Sequence, residues 1–268
     1  MTFLDLTRIT RHAAPTTTEP FGTELHTFDV AVPDGWQQGA GVFGGWVMAV
    51  LVRAAEAVVP GRPLRSLTAE IPAPAQPGDA TIFVEALRSG QSVTTVAARL
   101  VQKGQLQAHA VAVDGVTDHT ELIPPAVTSW QSIEAFPPDV PEVPPFARHF
   151  EFRMVEHPPF RGAPQSGALG WVRLREPGPA KDAALVVAHV DAWWPAEFAR
   201  LPRPRPMVTA AFSMQVVGGA SAWATDAPLL HASRSHAVRD GYVTEVRELW
   251  TEAGELVALN EQTMVMVK

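Results

Sequence analysis

The second half of this chain repeats the first. Arg88-Ser89-Gly90 is answered by Arg239-Asp240-Gly241, Val93-Thr94 by Val243-Thr244, Val96 by Val246, and Gly104-x-Leu106-x-Ala108 by Gly254-x-Leu256-x-Ala258, at a nearly constant separation. A chain duplicated in this way is expected to fold as two like units, and 268 residues divide into two of ordinary domain size. The duplication therefore constrains the architecture more than any single motif does.

Each copy opens on an apolar helix. The run Gly44 to Val59 is rich in Ala, Leu and Met, lacks proline and stops at Pro60-Gly61, which predicts a helix. It is apolar nearly all round, so other structure has to wrap it. Strand-like runs follow at Ser66 to Ile71, Thr81 to Leu87, Ser92 to Val101 and Leu106 to Val113, separated by Pro77-Gly78-Asp79, Ser89-Gly90 and Lys103-Gly104, the pattern of an antiparallel meander. Ala183 to Trp194 predicts the helix of the second copy. Between the copies, Val116 to Phe146 holds seven prolines, including Pro124-Pro125, Pro137-Pro138 and Pro144-Pro145, and reads as a semi-rigid extended linker. The expected units are an N-terminal domain over 1–119, a linker over 120–147 and a C-terminal domain over 148–268. The class is α+β, with an antiparallel sheet curled around its own helix in each half; another α+β sandwich topology fits the same string.

Composition narrows the function. Hydrophobic residues make up 46% and charged residues 18%, enough for a large core, and a formal charge of −7 with scattered basic residues offers no nucleic-acid surface. With no cysteine there is no disulfide, thiolate metal site or cysteine nucleophile. Met1 to Pro20 carries Asp5, Arg8 and Arg11 and lacks a signal-peptide core, so a cytoplasmic setting is expected. The most apolar run contains Arg53 and Glu56 and falls short of the roughly 20 residues that span a bilayer, so no membrane insertion is expected. Gly39-Ala40-Gly41-Val42-Phe43-Gly44 spells a dinucleotide-binding pattern, but Pro33 to Gln38 stands where an apolar strand should lead into it. The serine residues sit in no Gly-x-Ser-x-Gly elbow, and the histidines have no ligand spacing. Neither a metal nor a cofactor is expected.

Three polar residues stand out. On a helix, Asp191 shares its face with Ala184, Val187, Ala188 and Trp194, where a carboxylate is costly unless it is hydrogen-bonded or takes up a proton. A buried carboxylate with a raised pKa is a better general base near neutrality; a local ion pair with Arg200 is the alternative. Gln262 shares a strand face with Met264 and Met266, which points an amide inward, either toward a site or toward backbone. Thr209 alone is an ordinary strand residue. Gly44-Gly45 at a helix start offers backbone N–H groups that could polarise a carbonyl, and equally permits close helix–sheet approach.

Val42-Phe43-Gly44-Gly45 before an apolar helix, Pro77-Gly78, Leu87-Arg88-x-Gly90 and Arg99-Leu100-Val101-Gln102-x-Gly104 together resemble the first half of type II acyl-CoA thioesterases. His149-Phe150-Glu151-x-Arg153, Trp171-Val172-Arg173, Asp191, Thr209 and Leu256-Val257-Ala258-x-x-x-Gln262 are similar to landmarks of the second half. The resemblance spans about residues 28–267 in order. It implies a double hotdog, two tandem sheet-and-helix repeats, in which Asp191, Thr209 and Gln262 orient a water that attacks the thioester of an acyl-CoA. Phe43, Gly44, Gly45 and Trp46 are the corresponding substrate-binding residues, and a homodimer or higher homo-oligomer is implied. Where the family has an Asp-His pair after its Thr this chain has Ala211-Phe212, and Trp46 replaces a frequent Gln. Those departures leave a non-catalytic acyl-CoA or acyl-carrier binding module as the alternative. Enoyl hydration is disfavoured, because no Asp-x-x-x-x-His arrangement surrounds Asp191.

Overall fold

The computed structural model describes residues 1–12, 16–18, 23–115, 125, 129–137, 143–218 and 223–267. The first half runs α1 (Phe3–Leu6), β1 (Thr10–Arg11), β2 (Thr16–Thr18), β3 (Thr23–Val32), β4 (Gln37–Gln38), β5 (Gly41–Val42), α2 (Gly44–Val58), β6 (Leu64–Glu70), β7 (Gly78–Ser89), β8 (Val93–Gln102) and β9 (Gln105–Gly115). The second half runs β10 (Phe150–Glu156), β11 (Ala168–Leu174), α3 (Ala183–Asp191), β12 (Met207–Val216), β13 (Leu229–Arg239), β14 (Tyr242–Trp250) and β15 (Leu256–Met266). Apart from the small β4–β5 hairpin, the strands form one antiparallel sheet in the order β1-β3-β7-β8-β9-β6-β12-β15-β14-β13-β11-β10, with β2 beside β3.

Each half-sheet wraps its own helix. Helix α2 lies against β6, β7, β8 and β9, α3 lies against β11, β12, β14 and β15, and the two helices pack on each other. The burial follows from the sequence: Trp46, Met48, Leu51 and their neighbours leave α2 no polar stripe to turn outward, and they are fully buried. At about 1.5–3 kcal/mol per large apolar side chain, such a helix stabilises the fold only when covered on most sides. The halves meet at β6 and β12, where Leu67 lies opposite Met214 and Ala69 opposite Phe212. All four side chains are buried.

The two halves share their irregularities. Bulges fall where Ala86 and Arg88 face Val96 and Thr95, where Leu64 and Ser66 face Asp114 and Val113, and where Leu100 and Val101 face Ala108 and Leu106. Their counterparts are Ser235 and Ala237 facing Glu245 and Thr244, Thr209 and Ala211 facing Met264 and Thr263, and Leu249 and Trp250 facing Ala258 and Leu256. This register matches Thr95 with Thr244 and Arg88 with Ala237, so the sequence pairing of Thr94 with Thr244 and Arg88 with Arg239 is displaced. Unequal turns explain the displacement. Lys103-Gly104 and Asp240-Gly241 are tight two-residue turns with left-handed backbone at both positions, whereas Gly90 to Ser92 and Thr251 to Glu255 are longer loops.

One further sequence expectation shifts. The second helix ends at Asp191, not Trp194: Pro195 cannot donate to the helix and disfavours helical backbone before it, and the chain passes into a 3-10 turn at Ala196–Ala199. The glycine-rich segment forms the β4–β5 hairpin, where a side chain at Gly41 would meet Pro74. About half of the proposed linker, at 120–124, 126–128 and 138–142, lies outside the described residues. Its described parts include 3-10 turns at Trp130–Ser132 and Pro145–His149, and Phe146 is packed in the core against Phe43, with ring centroids 4.3 Å apart.

Candidate active site

Helix α2 begins without a cap of its own. Its N-cap residue is Phe43, which has no side-chain acceptor, so the first-turn N–H groups need partners from elsewhere. One arrives from α3. Asp191, the last residue of that helix, accepts a hydrogen bond from the Gly45 N–H. The approach depends on the glycine pair: a Cβ on Gly44 would lie 2.9 Å from Asp191 Oδ2, and one on Gly45 would lie 3.2 Å from the Ala188 Cα. The other end of the helix pair is tied by Asp182, the N-cap of α3, which accepts from the Leu185 N–H at 3.0 Å and pairs with Arg53 of α2 at 2.5 Å.

Strands β12, β14 and β15 supply the remaining contacts. The Gln262 amide donates to Asp191 Oδ1 at 3.0 Å and to Asn260 Oδ1 at 3.1 Å, while its oxygen accepts from the Thr209 hydroxyl at 2.9 Å. Asp191, Gln262 and Thr209 thus form one hydrogen-bonded chain. Gln262 is fully buried and Asp191 is 5% exposed. Arg247 Nη1 donates to the Val190 carbonyl at 3.1 Å and stands 3.6 Å from Asp191 Oδ1; its Nε donates to Glu245 Oε1 at 2.8 Å. Glu245 Oε2 accepts from the Ala196 N–H at 2.7 Å.

Burial raises the Asp191 pKa, against the opposing pull of Arg247, the Gln262 amide and the Gly45 N–H. Its position at a helix C-terminus, the negative end of the dipole, acts in the same direction as burial. Arg200, the alternative partner considered for Asp191, instead pairs with Glu197 at 3.3 Å. His189 is spent on structure. Burial lowers its pKa to about 4, and the neutral ring donates from Nδ1 to the Leu185 carbonyl while Nε2 accepts from the Leu174 N–H. Among the described residues, no three His, Asp or Glu side chains converge as a metal shell.

The candidate residues named from the sequence are therefore placed as follows. Asp191, Thr209, Gln262, Gly44 and Gly45 come together, and Phe43 is buried immediately before them. Trp46 is also buried, but its indole N–H donates to the Leu6 carbonyl at 3.1 Å. Phe212 is buried opposite Gln262. Glu245, Arg247 and Asn260 were not anticipated. Period-two alternation carried the signal, since Val243, Glu245, Arg247 and Leu249 share one strand face, as do Ala258, Asn260, Gln262 and Met264.

A fully antiparallel sheet wrapped around two packed helices, with a buried carboxylate bonded to the glycine start of the opposite helix, is the setting in which comparison with known proteins becomes informative. The acyl-CoA thioesterase N-terminal domain matches residues 32–116 and the acyl-CoA thioesterase C-terminal domain matches 123–266. The chain belongs to the acyl-CoA thioesterase family and is an acyl-CoA thioester hydrolase. No curated protein matches it in sequence. Among solved structures it is similar to a hotdog-fold protein of unknown function from Alicyclobacillus acidocaldarius, with a TM-score of 0.86 and 24% identity over 99% of this chain and 98% of the other. It is also similar to a provisionally assigned thioesterase II from Thermobifida fusca YX, with a TM-score of 0.84 and 23% identity over 100% and 98% of the two chains. A third is the tesB protein of Mycobacterium avium subspecies paratuberculosis, with a TM-score of 0.79 and 19% identity over 99% and 98%. At these identities the likeness defines the fold as a hotdog.

Proposed function

We propose that the chain hydrolyses a fatty or related acyl-CoA to the free acid and CoA by direct attack of water, with Asp191 as general base and with Thr209 and Gln262 orienting the base and the water. The observation that carries this reading is the chain Thr209–Gln262–Asp191, in which the Thr209 hydroxyl donates to the Gln262 oxygen and the Gln262 amide donates to the buried carboxylate. Water adds to the thioester carbonyl as its proton passes to Asp191; the tetrahedral intermediate then collapses, and the sulfur leaves as the CoA thiol with that proton. The Gly45 N–H is committed to Asp191, so the Gly44 N–H is the helix-start donor assigned to the developing oxyanion. Phe43 and Trp46 are assigned to packing around the acyl end.

The same reading takes the molecule as a double hotdog, with repeats over 1–119 and 148–268 joined by 120–147. Matched bulges in the two half-sheets support it. They also align Val96, Ala98, Ala110 and Ala112 with Glu245, Arg247, Asn260 and Gln262, so the polar inner row belongs to the second half alone. A cytoplasmic setting and a homodimer or higher oligomer complete the proposal. Leu87, Val93, Val238 and Tyr242, exposed near the hairpin ends, supply apolar surface for self-association, which sedimentation would read.

Asp191→Asn tests the base. The expected result is a loss of kcat on the order of 10²–10⁴ with an unchanged circular dichroism spectrum; a variant with the wild-type rate on an accepted acyl-CoA overturns the assignment.

A further inference from the structure

We propose that Glu245 and Arg247 are positioning residues for Asp191: Glu245 draws the Arg247 guanidinium to itself, so that Asp191 is held by this cation without being neutralised by it. The inference rests on the reading of Asp191 as the base.

The distances divide the cation unequally. Arg247 contacts Glu245 at 2.8 Å, within hydrogen-bond range, and Asp191 at 3.6 Å, beyond it. Glu245 cannot swing away, because its second oxygen is fixed by the Ala196 N–H at 2.7 Å. Arg247 cannot swing closer to Asp191, because the same Nη1 holds the Val190 carbonyl at 3.1 Å. The Val190 bond anchors the last turn of α3, which carries Asp191. One buried cation thus stands between two buried carboxylates. A net negative charge left in such a site favours uptake of a proton, and Asp191, with the weaker share of the cation, is the carboxylate placed to take one from water.

Other groups packed around Asp191 do not supply the missing charge. From β15 and β12 come the neutral Asn260, Gln262 and Thr209, and from α2 the Gly45 N–H. His231 on β13 is kept neutral by burial and by the nearby Arg247 charge. Glu197 on the following 3-10 turn pairs with Arg200. Burial raises the pKa of Glu245 as well, and the Asp191 charge adds to that rise while Arg247 opposes it. The two carboxylates are therefore expected to titrate as a coupled pair.

The test is the acid limb of the kcat/KM profile with an acyl-CoA substrate. Glu245→Gln removes a like charge and leaves the Arg247 cation, still fixed by the Val190 carbonyl, unshared beside Asp191, so the limb moves down by about one pH unit or more. Arg247→Gln removes the opposite charge and moves the limb up, Arg247→Lys lies nearer the wild type, and the double Gln variant falls between the two singles. An unmoved limb in folded variants, or both single variants moving in the same direction, overturns the proposal. Should the variants fail to fold, carboxyl-¹³C NMR of the wild-type enzyme decides. Two-step titration of Asp191 mirrored by Glu245 supports the pair, and a single independent step for Asp191 overturns it. An Asp191→Asn enzyme of full activity would remove the base assignment, whereas the NMR titration reads the pair with or without catalysis.

Discussion

Asp191 joins two elements that are distant in sequence. It closes the second helix and serves as the missing cap of the first, which is why Gly44 has no room for a side chain toward it, while a side chain on Gly45 would meet the Phe43 ring and the Ala188 backbone. Gly44→Ala is expected to displace the carboxylate and lower kcat/KM at least about tenfold, an effect of about 1.4 kcal/mol or more on the transition state. Steady-state kinetics beside a thermal melt separates this from unfolding, because helix propensity alone favours alanine over glycine. The pH dependence has a defined sign. Protonated Asp191 cannot accept a proton from water, and burial raises its pKa, so kcat/KM rises with pH through a midpoint above the ordinary carboxylate range. A midpoint near that of an exposed aspartate would contradict it. Asp191 and Gln262 could be named from the sequence because helix and strand periodicity placed polar atoms on apolar faces, whereas Thr209 was named only through the resemblance to the thioesterase family. Arg247 and Glu245 were missed because two opposite charges two residues apart also describe an ordinary solvated strand.

At the scale of elements, the two ends of α2 differ in their electrostatics. Its N-terminus receives the Asp191 carboxylate, a favourable match to the dipole, while its last turn carries Glu56, an unfavourable one. Burial, with repulsion from Asp182 and Asp114, raises the Glu56 pKa to about 7, against the Leu64 N–H and Arg53. The folded state then binds a proton more tightly than the unfolded chain, so the contribution of Glu56 is least unfavourable at low pH. Stability is lost as pH rises from about 4.5 to about 7. Glu56→Gln is expected to match the wild type at pH 4 and to be more stable at pH 8 by on the order of 1–3 kcal/mol, read by urea unfolding at the two pH values. Helix α2 and strands β6 to β9 were legible within a few residues, whereas β3, β10 and β11 were not read as strands. The end of α3 was not, since the apolar pattern runs on to Trp194 and only Pro195 sets the limit.

For the whole molecule, the junction of β6 with β12 decides whether the halves act separately. Ser213 lies opposite Thr68 on one side and Glu261 on the other, so β12 is bonded along both edges. Ser213→Pro would interrupt that ladder and clash in a central strand, with an expected cost of about 3 kcal/mol or more. With the sheet continuous and α2 packed on α3, the wild-type chain is expected to unfold in one calorimetric transition; two resolved transitions would show independent halves. The sequence by itself determined the helix-then-meander order, its recurrence, and that Asp191 and Gln262 are polar in apolar surroundings, because these follow from local periodicity and composition. Only the tertiary structure decided that Asp191 meets the start of the other helix, and that Arg247 is shared unequally between Asp191 and Glu245. It also decided that the sequence matches at Arg88, Thr94 and Val96 run out of register across the repeats, while Leu106 and Ala108 keep theirs with Leu256 and Ala258. Those outcomes depend on turn lengths, bulges and helix packing between residues far apart in the chain, where a shift of one residue reverses the face a strand side chain occupies.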